Sequence, residues 1–181
     1  ITLPTLARYF TTAGLVGRKI GLLYAINTAG AVLEDARVAR LEVIEFLQPV
    51  IDWHEERLVP LDPPLADEGR CSLIQGDFFA LAASPEGFGV PKDAILIDID
   101  HTPDWLLDQR SGSFYSEEGL RQLAGHLKPG GVMGLWSDAL ADEAFIARMK
   151  TVFAEAWSEA VTFHNPLQDK PFTQTVYLAR K

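Results

Sequence analysis

An unbroken run of four apolar residues, Ala94 to Ile97, stands between Pro91 and Pro103 and ends directly in Asp98. It is too short for a helix, and an apolar run bounded in this way reads as a strand buried on both faces of a parallel sheet. Asp98, Asp100 and Asp104 follow it, so they fall at the carboxyl end of the strand, the edge where open α/β sheets place their ligands. Acids after a strand also serve as turn formers and helix N-caps, and His101-Thr102-Pro103-Asp104 reads equally well that way. A carboxylate placed immediately after a fully apolar strand makes Asp98 the leading candidate for chemistry.

On either side of that strand the pattern alternates between strand and helix. Leu41 to Glu45 reads as a strand ending in a carboxylate, and Pro49 opens a helix to about Val59 that would turn Val50, Trp53 and Leu58 toward the sheet. Cys71 to Gln75 is a further strand, followed by Gly76-Asp77 and a short helix from Phe78 to Ala83. Beyond the central strand, Trp105 to Ser113 is a polar connection placed to act as a lid. A helix over 116–127 follows, with Ser116 as N-cap and Gly119 as a weak point. Lys128-Pro129-Gly130-Gly131 breaks the chain before a buried strand over Val132 to Trp136. Asp142 to Trp157 has helical spacing, and Glu159 to His164 with Thr173 to Ala179 would close the fold as an antiparallel hairpin. Such alternation predicts a mostly parallel sheet covered on both sides.

Composition narrows the function classes. A chain of 181 residues suits one domain body, and 48% hydrophobic with 23% charged residues is a globular balance. A formal charge of −9 disfavours nucleic acid, whose phosphates need a basic surface, and suits small cationic substrates. The single cysteine, Cys71, cannot form an internal disulfide, and the four histidines lack metal-ligand spacing, so no metal site and a cytoplasmic setting are expected. The apolar segment Ile20 to Leu33 is shorter than the roughly 20 residues that span a bilayer and contains Asn27 and Thr28, so a membrane role is not expected of this chain. It is read as an amphipathic helix docking on the body, with a first strand over Ile20 to Ile26 as the alternative.

Taken in order, Val43-Ile44-Glu45, Gln75-Gly76-Asp77, Asp93 to Asp100 and Leu127-Lys128-Pro129-Gly130-Gly131-Val132 resemble the class I S-adenosylmethionine-dependent methyltransferase fold, and within it the spermidine synthase family of aminopropyltransferases. The resemblance covers residues 37 to 181. It implies a Rossmann-like, mostly parallel sheet with a C-terminal antiparallel hairpin, and a co-substrate that is decarboxylated S-adenosylmethionine or S-adenosylmethionine itself. Glu45 then matches the acid that holds the ribose hydroxyls, two acceptor oxygens against two adjacent hydroxyls. Asp77 matches the acid that meets the adenine amino group. Asp98 matches the acid that takes a proton from the attacking amine, which is a nucleophile only when its lone pair is free. Asp100, Tyr115 and Trp105 fall where contacts to a polyamine-type substrate are implied, and the family implies a homodimer.

The sequence departs from that family in two places. Asp98-Ile99-Asp100-His101-Thr102-Pro103 brings the second acid one residue early and lacks the small serines of the family motif. The glycine-rich loop after the first strand is replaced by Tyr24-Ala25-Ile26-Asn27-Thr28-Ala29-Gly30, so a regular first strand-loop-helix unit is not expected. Residues 1–33, through Thr2-Leu3-Pro4 and Gly17 to Thr28, resemble part of the membrane half fused to some spermidine synthases. The chain is therefore divided into an N-terminal helical segment, 1–36, and a synthase-like domain, 37–181. A methyltransferase and a catalytically silent binding or dimerisation module are the alternatives to aminopropyl transfer.

Overall fold

The structure, a computed structural model, describes residues 22–23, 29, 33, 38–59, 64–98, 112–165 and 168–181. Among these, seven strands form one sheet: β1 (Leu22–Leu23), β2 (Leu41–Glu45), β3 (Cys71–Gln75), β4 (Lys92–Ile97), β5 (Leu127–Ser137), β6 (Glu155–Asn165) and β7 (Lys170–Arg180). Their spatial order is β3-β2-β1-β4-β5-β7-β6. The pairings from β3 through β5 are parallel, whereas β7 runs antiparallel to both β5 and β6. This is the α/β sheet with a C-terminal antiparallel hairpin that the strand-helix alternation predicts.

Period-two alternation divides the sheet between two cores. Ile44, Ile95, Ile97, Met133 and Leu135 face the first, packed with residues of the helices α2 (Phe78–Ala83), α3 (Glu117–Gly125) and α4 (Glu143–Lys150). Val43, Ala94, Leu96 and Val132 face the second, with Ala29, Leu33, Val38 and Leu65. Both faces of β4 are covered, which is why its sequence shows no polar alternation.

Leu22 and Leu23 correct the expectation of a helix at this point. They pair in parallel with β2 on one side, Leu23 opposite Val43, and with β4 on the other, opposite Ile95 and Leu96. Without them the facing amides and carbonyls of β2 and β4 would be buried unpaired, a cost that a helix docked elsewhere could not relieve. Ala29 and Leu33 are helical and buried in the second core. The glycine-poor stretch 24–28 and nearly all of the remaining segment 1–36 lie outside the described residues.

Three other element readings are also revised. Helix α1, Gln48–Glu55, buries Ile51 and His54 and leaves Trp53 51% and Leu58 65% exposed. Of the expected face, Val50 packs against the second core, whereas Trp53 is exposed and Leu58 lies beyond the end of the helix. Positions 50 and 53 have the same spacing as 51 and 54, and His54 does not read as apolar. Arg57 then reverses the chain in the left-handed region, φ 58, and its guanidinium grips Asp67 at 2.6 and 3.1 Å. Helix α4 stops at Lys150, so Trp157 belongs to β6 rather than to a longer helix. Finally, the Lys128 to Gly131 stretch is a bulge inside β5: Lys92 pairs with Leu127 and Ala94 with Val132, so β5 carries three extra residues, with Gly130 at φ 72.

Candidate active site

The carboxyl ends of β2, β3 and β4 lie along one rim of the sheet, and each is followed by one of the expected acids. Glu45 closes β2; its Oε1 accepts from the Leu47 amide at 2.8 Å, and its carbonyl accepts from Gly76 N at 3.0 Å. Asp77 is exposed and caps α2, Oδ1 accepting from Phe79 N at 2.9 Å and Ala80 N at 3.2 Å. Gly76 precedes Asp77, and a Cβ there would sit 3.1 Å from Leu81 Cδ1, a tight contact that the leucine side chain would have to yield to. Asp98, half-buried, follows Ile97 at the end of β4.

Register sets how these groups relate. Leu23 pairs with both Val43 and Leu96, so Glu45 and Asp98 stand at one level, each two residues beyond a partner of Leu23. With β1 between them, their strands are about 10 Å apart, and Asp77 follows β3, one strand further out. Three carboxylates thus line one rim, with negative charge available to a cationic ligand.

Tyr115 has a different environment. Its ring is 5% exposed and packs edge-on against Phe114 and Phe145, and burial raises its phenol far above the ordinary value. What the structure shows for it is a packing role in the first core. Asp100 and Trp105 lie outside the described residues, as does most of the expected lid. Among the described residues no group of three or more His, Cys, Asp or Glu is placed to hold a metal ion.

Two features of the rim were not legible beforehand. Phe46 and Leu47, 56% and 54% exposed, continue the chain directly from Glu45, and Ile74 is exposed at the end of β3. They give the rim beside Glu45 an apolar surface; the available signal was an apolar pair in a loop that no core position needed. His54 lies close enough to Glu45 for that charge to raise its pKa, although burial outweighs this and holds it below the usual histidine value. Burial, and then the charge of Glu68, push the Cys71 thiol up to about 11, which disfavours the nucleophilic thiolate.

No family model matches the sequence, and no curated protein matches it. Solved structures do. A spermidine synthase in complex with the transition-state analogue AdoDATO superposes at TM-score 0.67 and 18% identity, over 92% of this chain and 56% of its own. The probable spermidine synthase of Corynebacterium glutamicum superposes at 0.66 and 19%, over 96% and 60%. The methyltransferase domain of bacterial CtHen1 superposes at 0.63 and 13%, over 98% and 96%. The fold is that of the S-adenosylmethionine-dependent transferases. Within this fold, the chain spans between half and two thirds of the length of the spermidine synthases and nearly the whole of the methyltransferase domain.

Proposed function

We propose that this chain is a spermidine synthase-like aminopropyltransferase domain, taking decarboxylated S-adenosylmethionine and a polyamine-type amine. The observation that carries the reading is the register of Glu45 and Asp98 on either side of β1, with Asp77 after β3 on the same rim. Glu45 would accept from the two ribose hydroxyls. Asp77 would meet the adenine amino group, and Phe46, Leu47 and Ile74 would cover apolar surface of the base. Asp98 would take a proton from the ammonium group of the acceptor. The freed nitrogen lone pair attacks the methylene beside the sulfonium, the carbon–sulfur bond breaks, and its electrons stay on sulfur to leave neutral methylthioadenosine. Orientation, proton removal and negative potential around a cationic pair of substrates are the sources of rate.

Two observations favour other readings. The span of almost an entire methyltransferase domain suits methyl transfer from S-adenosylmethionine to another acceptor. The use of Glu45 and Asp77 oxygens to hold their own backbone suits a silent module. Calorimetric titration with methylthioadenosine, S-adenosylmethionine and its decarboxylated form separates the three. Preference for the decarboxylated ligand supports aminopropyl transfer, preference for the intact one supports methyl transfer, and silence toward all leaves the module. Asp98→Asn is expected to abolish transfer while holding methylthioadenosine affinity within about threefold, since the nucleoside contacts lie on other strands. Equal loss of both would remove Asp98 from the proton-accepting role.

A further inference from the structure

Among the described residues, one buried side-chain polar atom has no hydrogen-bond partner: the amide oxygen Oε1 of Gln174 on β7. Gln174 is 8% exposed, so the oxygen has lost water without replacing it, an arrangement that is costly and uncommon in folded chains. Such a group marks either an internal water or a position kept for a ligand.

Its place in the sheet favours the ligand. Alternation along β7 sets Gln174 on the same face as Val176 and Leu178, which belong to the second core, as does its cross-strand partner Val161. Thr175 pairs with Ser137 and Val176 with Trp136, which puts Gln174 beyond the carboxyl end of β5. Ile97 pairs with Leu135, so one residue on, Asp98 is level with Trp136. Asp98, Trp136 and Val176 therefore follow one another across one face at steps of about 5 Å, with Gln174 two residues further toward the rim. Trp136 between them is only partly buried. Glu45 and Asp77 lie on the opposite side of Asp98, so this end of the rim is the one left for a second substrate.

The chemistry of the three groups agrees. An amide oxygen only accepts hydrogen bonds, a carboxylate is anionic, and an indole face attracts cations. Together they suit an alkylammonium group and discriminate against an anionic acceptor. We propose that Gln174 is an acceptor-substrate residue whose Oε1 takes a hydrogen bond from the ammonium group of the amine, beside Trp136 and across from Asp98. The inference rests on the aminopropyl-transfer reading, for which it supplies the amine side of the site. Because Oε1 is enclosed, the amine reaches it only as the neighbouring side chains part.

The test compares the full chain with Gln174→Met, a substitution that keeps side-chain length and removes the polar oxygen. Calorimetric titration uses 1,4-diaminobutane in the presence of saturating methylthioadenosine, alongside thermal unfolding of both proteins. The variant is expected to bind the diamine about tenfold more weakly and methylthioadenosine within about twofold, as for loss of one hydrogen bond to a charged donor. Its melting temperature is expected to rise by about 2–4 °C, because an unpaired buried acceptor has been removed. Unchanged diamine affinity overturns the proposal. So does a lower melting temperature, which would show that an internal water or side chain already satisfies the oxygen. If the wild type binds methylthioadenosine but no diamine, this inference fails while nucleoside recognition stands; if it binds no nucleoside, the aminopropyl-transfer reading fails first.

Discussion

Glu42 carries two partners, and they differ in what they can lose. Its Oε2 meets Lys92 Nζ at 2.5 Å, and its Oε1 meets Arg40 Nε at 3.0 Å. Lys92 is 5% exposed, whereas the Arg40 side chain is 65% exposed. Removing the carboxylate strands a buried ammonium, while removing the ammonium leaves the carboxylate with Arg40. Glu42→Gln is therefore expected to cost about 3 kcal/mol, and Lys92→Met distinctly less, by urea denaturation. Equal costs would mean that Lys92 finds water or another acceptor. At this scale the sequence supplied the acids but not their neighbours. Asp98 was legible because it directly follows the apolar run Ala94 to Ile97, and Glu45 and Asp77 through the resemblance carried by Val43-Ile44-Glu45 and Gln75-Gly76-Asp77. The role of Gln174 was not, because nothing in Thr173-Gln174-Thr175 says which oxygen will be left without a donor.

Helix α3 shows how an element can reverse the meaning of a residue. Gly119 reads as a weak point by helix propensity, yet its missing side chain is what lets the helix start against the preceding turn. A Cβ there would lie 2.3 Å from the Ser113 carbonyl oxygen and 2.5 Å from that of Phe114. In the same turn Ser116 Oγ accepts from Gly119 N at 3.1 Å, so the N-cap and the close approach are one arrangement. Gly125, at the other end of the helix, has nothing within 4 Å of such a Cβ. Gly119→Ala is thus expected to destabilise the protein by about 2 kcal/mol or more, against the propensity gain. Gly125→Ala is expected to stabilise it by about 0.5 kcal/mol. Melting temperatures of the two variants check the pair, and a stabilised Gly119→Ala would show that the turn over Ser113 and Phe114 is free to shift. Arg70 offers a comparable case: it pairs with Glu68 at 2.8 Å and donates to the carbonyls of Val38 and Leu33, fastening the segment ahead of β2 to the start of β3.

Among the described residues, two histidines, His54 and His126, are enclosed by the fold. Burial lowers the pKa of His54, opposed by the charge of Glu45. Burial also lowers that of His126, opposed by hydrogen bonds with the Ala82 and Ser84 carbonyls; His126 Nε2 lies 3.2 Å from Ala82 O. The unfolded chain takes up these protons near the ordinary value of 6.5, and the folded one only at lower pH. Stability is then fully present above that value and falls as pH drops from it toward the folded values. The urea midpoint is expected to be lower at pH 5.5 than at pH 7.5, and a flat profile over that interval would count against two buried neutral imidazoles. Among the described residues no helix is long and apolar enough to cross a membrane.

By itself the sequence determined the order and type of most elements and the three acids at strand ends. Those signals are local: a run of Ala94 to Ile97, a cap at Ser116, a break at Pro129-Gly130. Tertiary structure decided what depends on a partner distant in the chain. It made Leu22–Leu23 a strand because β2 and β4 left backbone groups to satisfy on both sides. It turned α1 onto Ile51 and His54, ended α4 early in favour of β6, and folded the Lys128 to Gly131 break into β5 as a bulge. It also left Gln174 without a donor at the rim beyond Asp98, since hydrogen-bond satisfaction belongs to the assembled layers and to no single stretch of sequence.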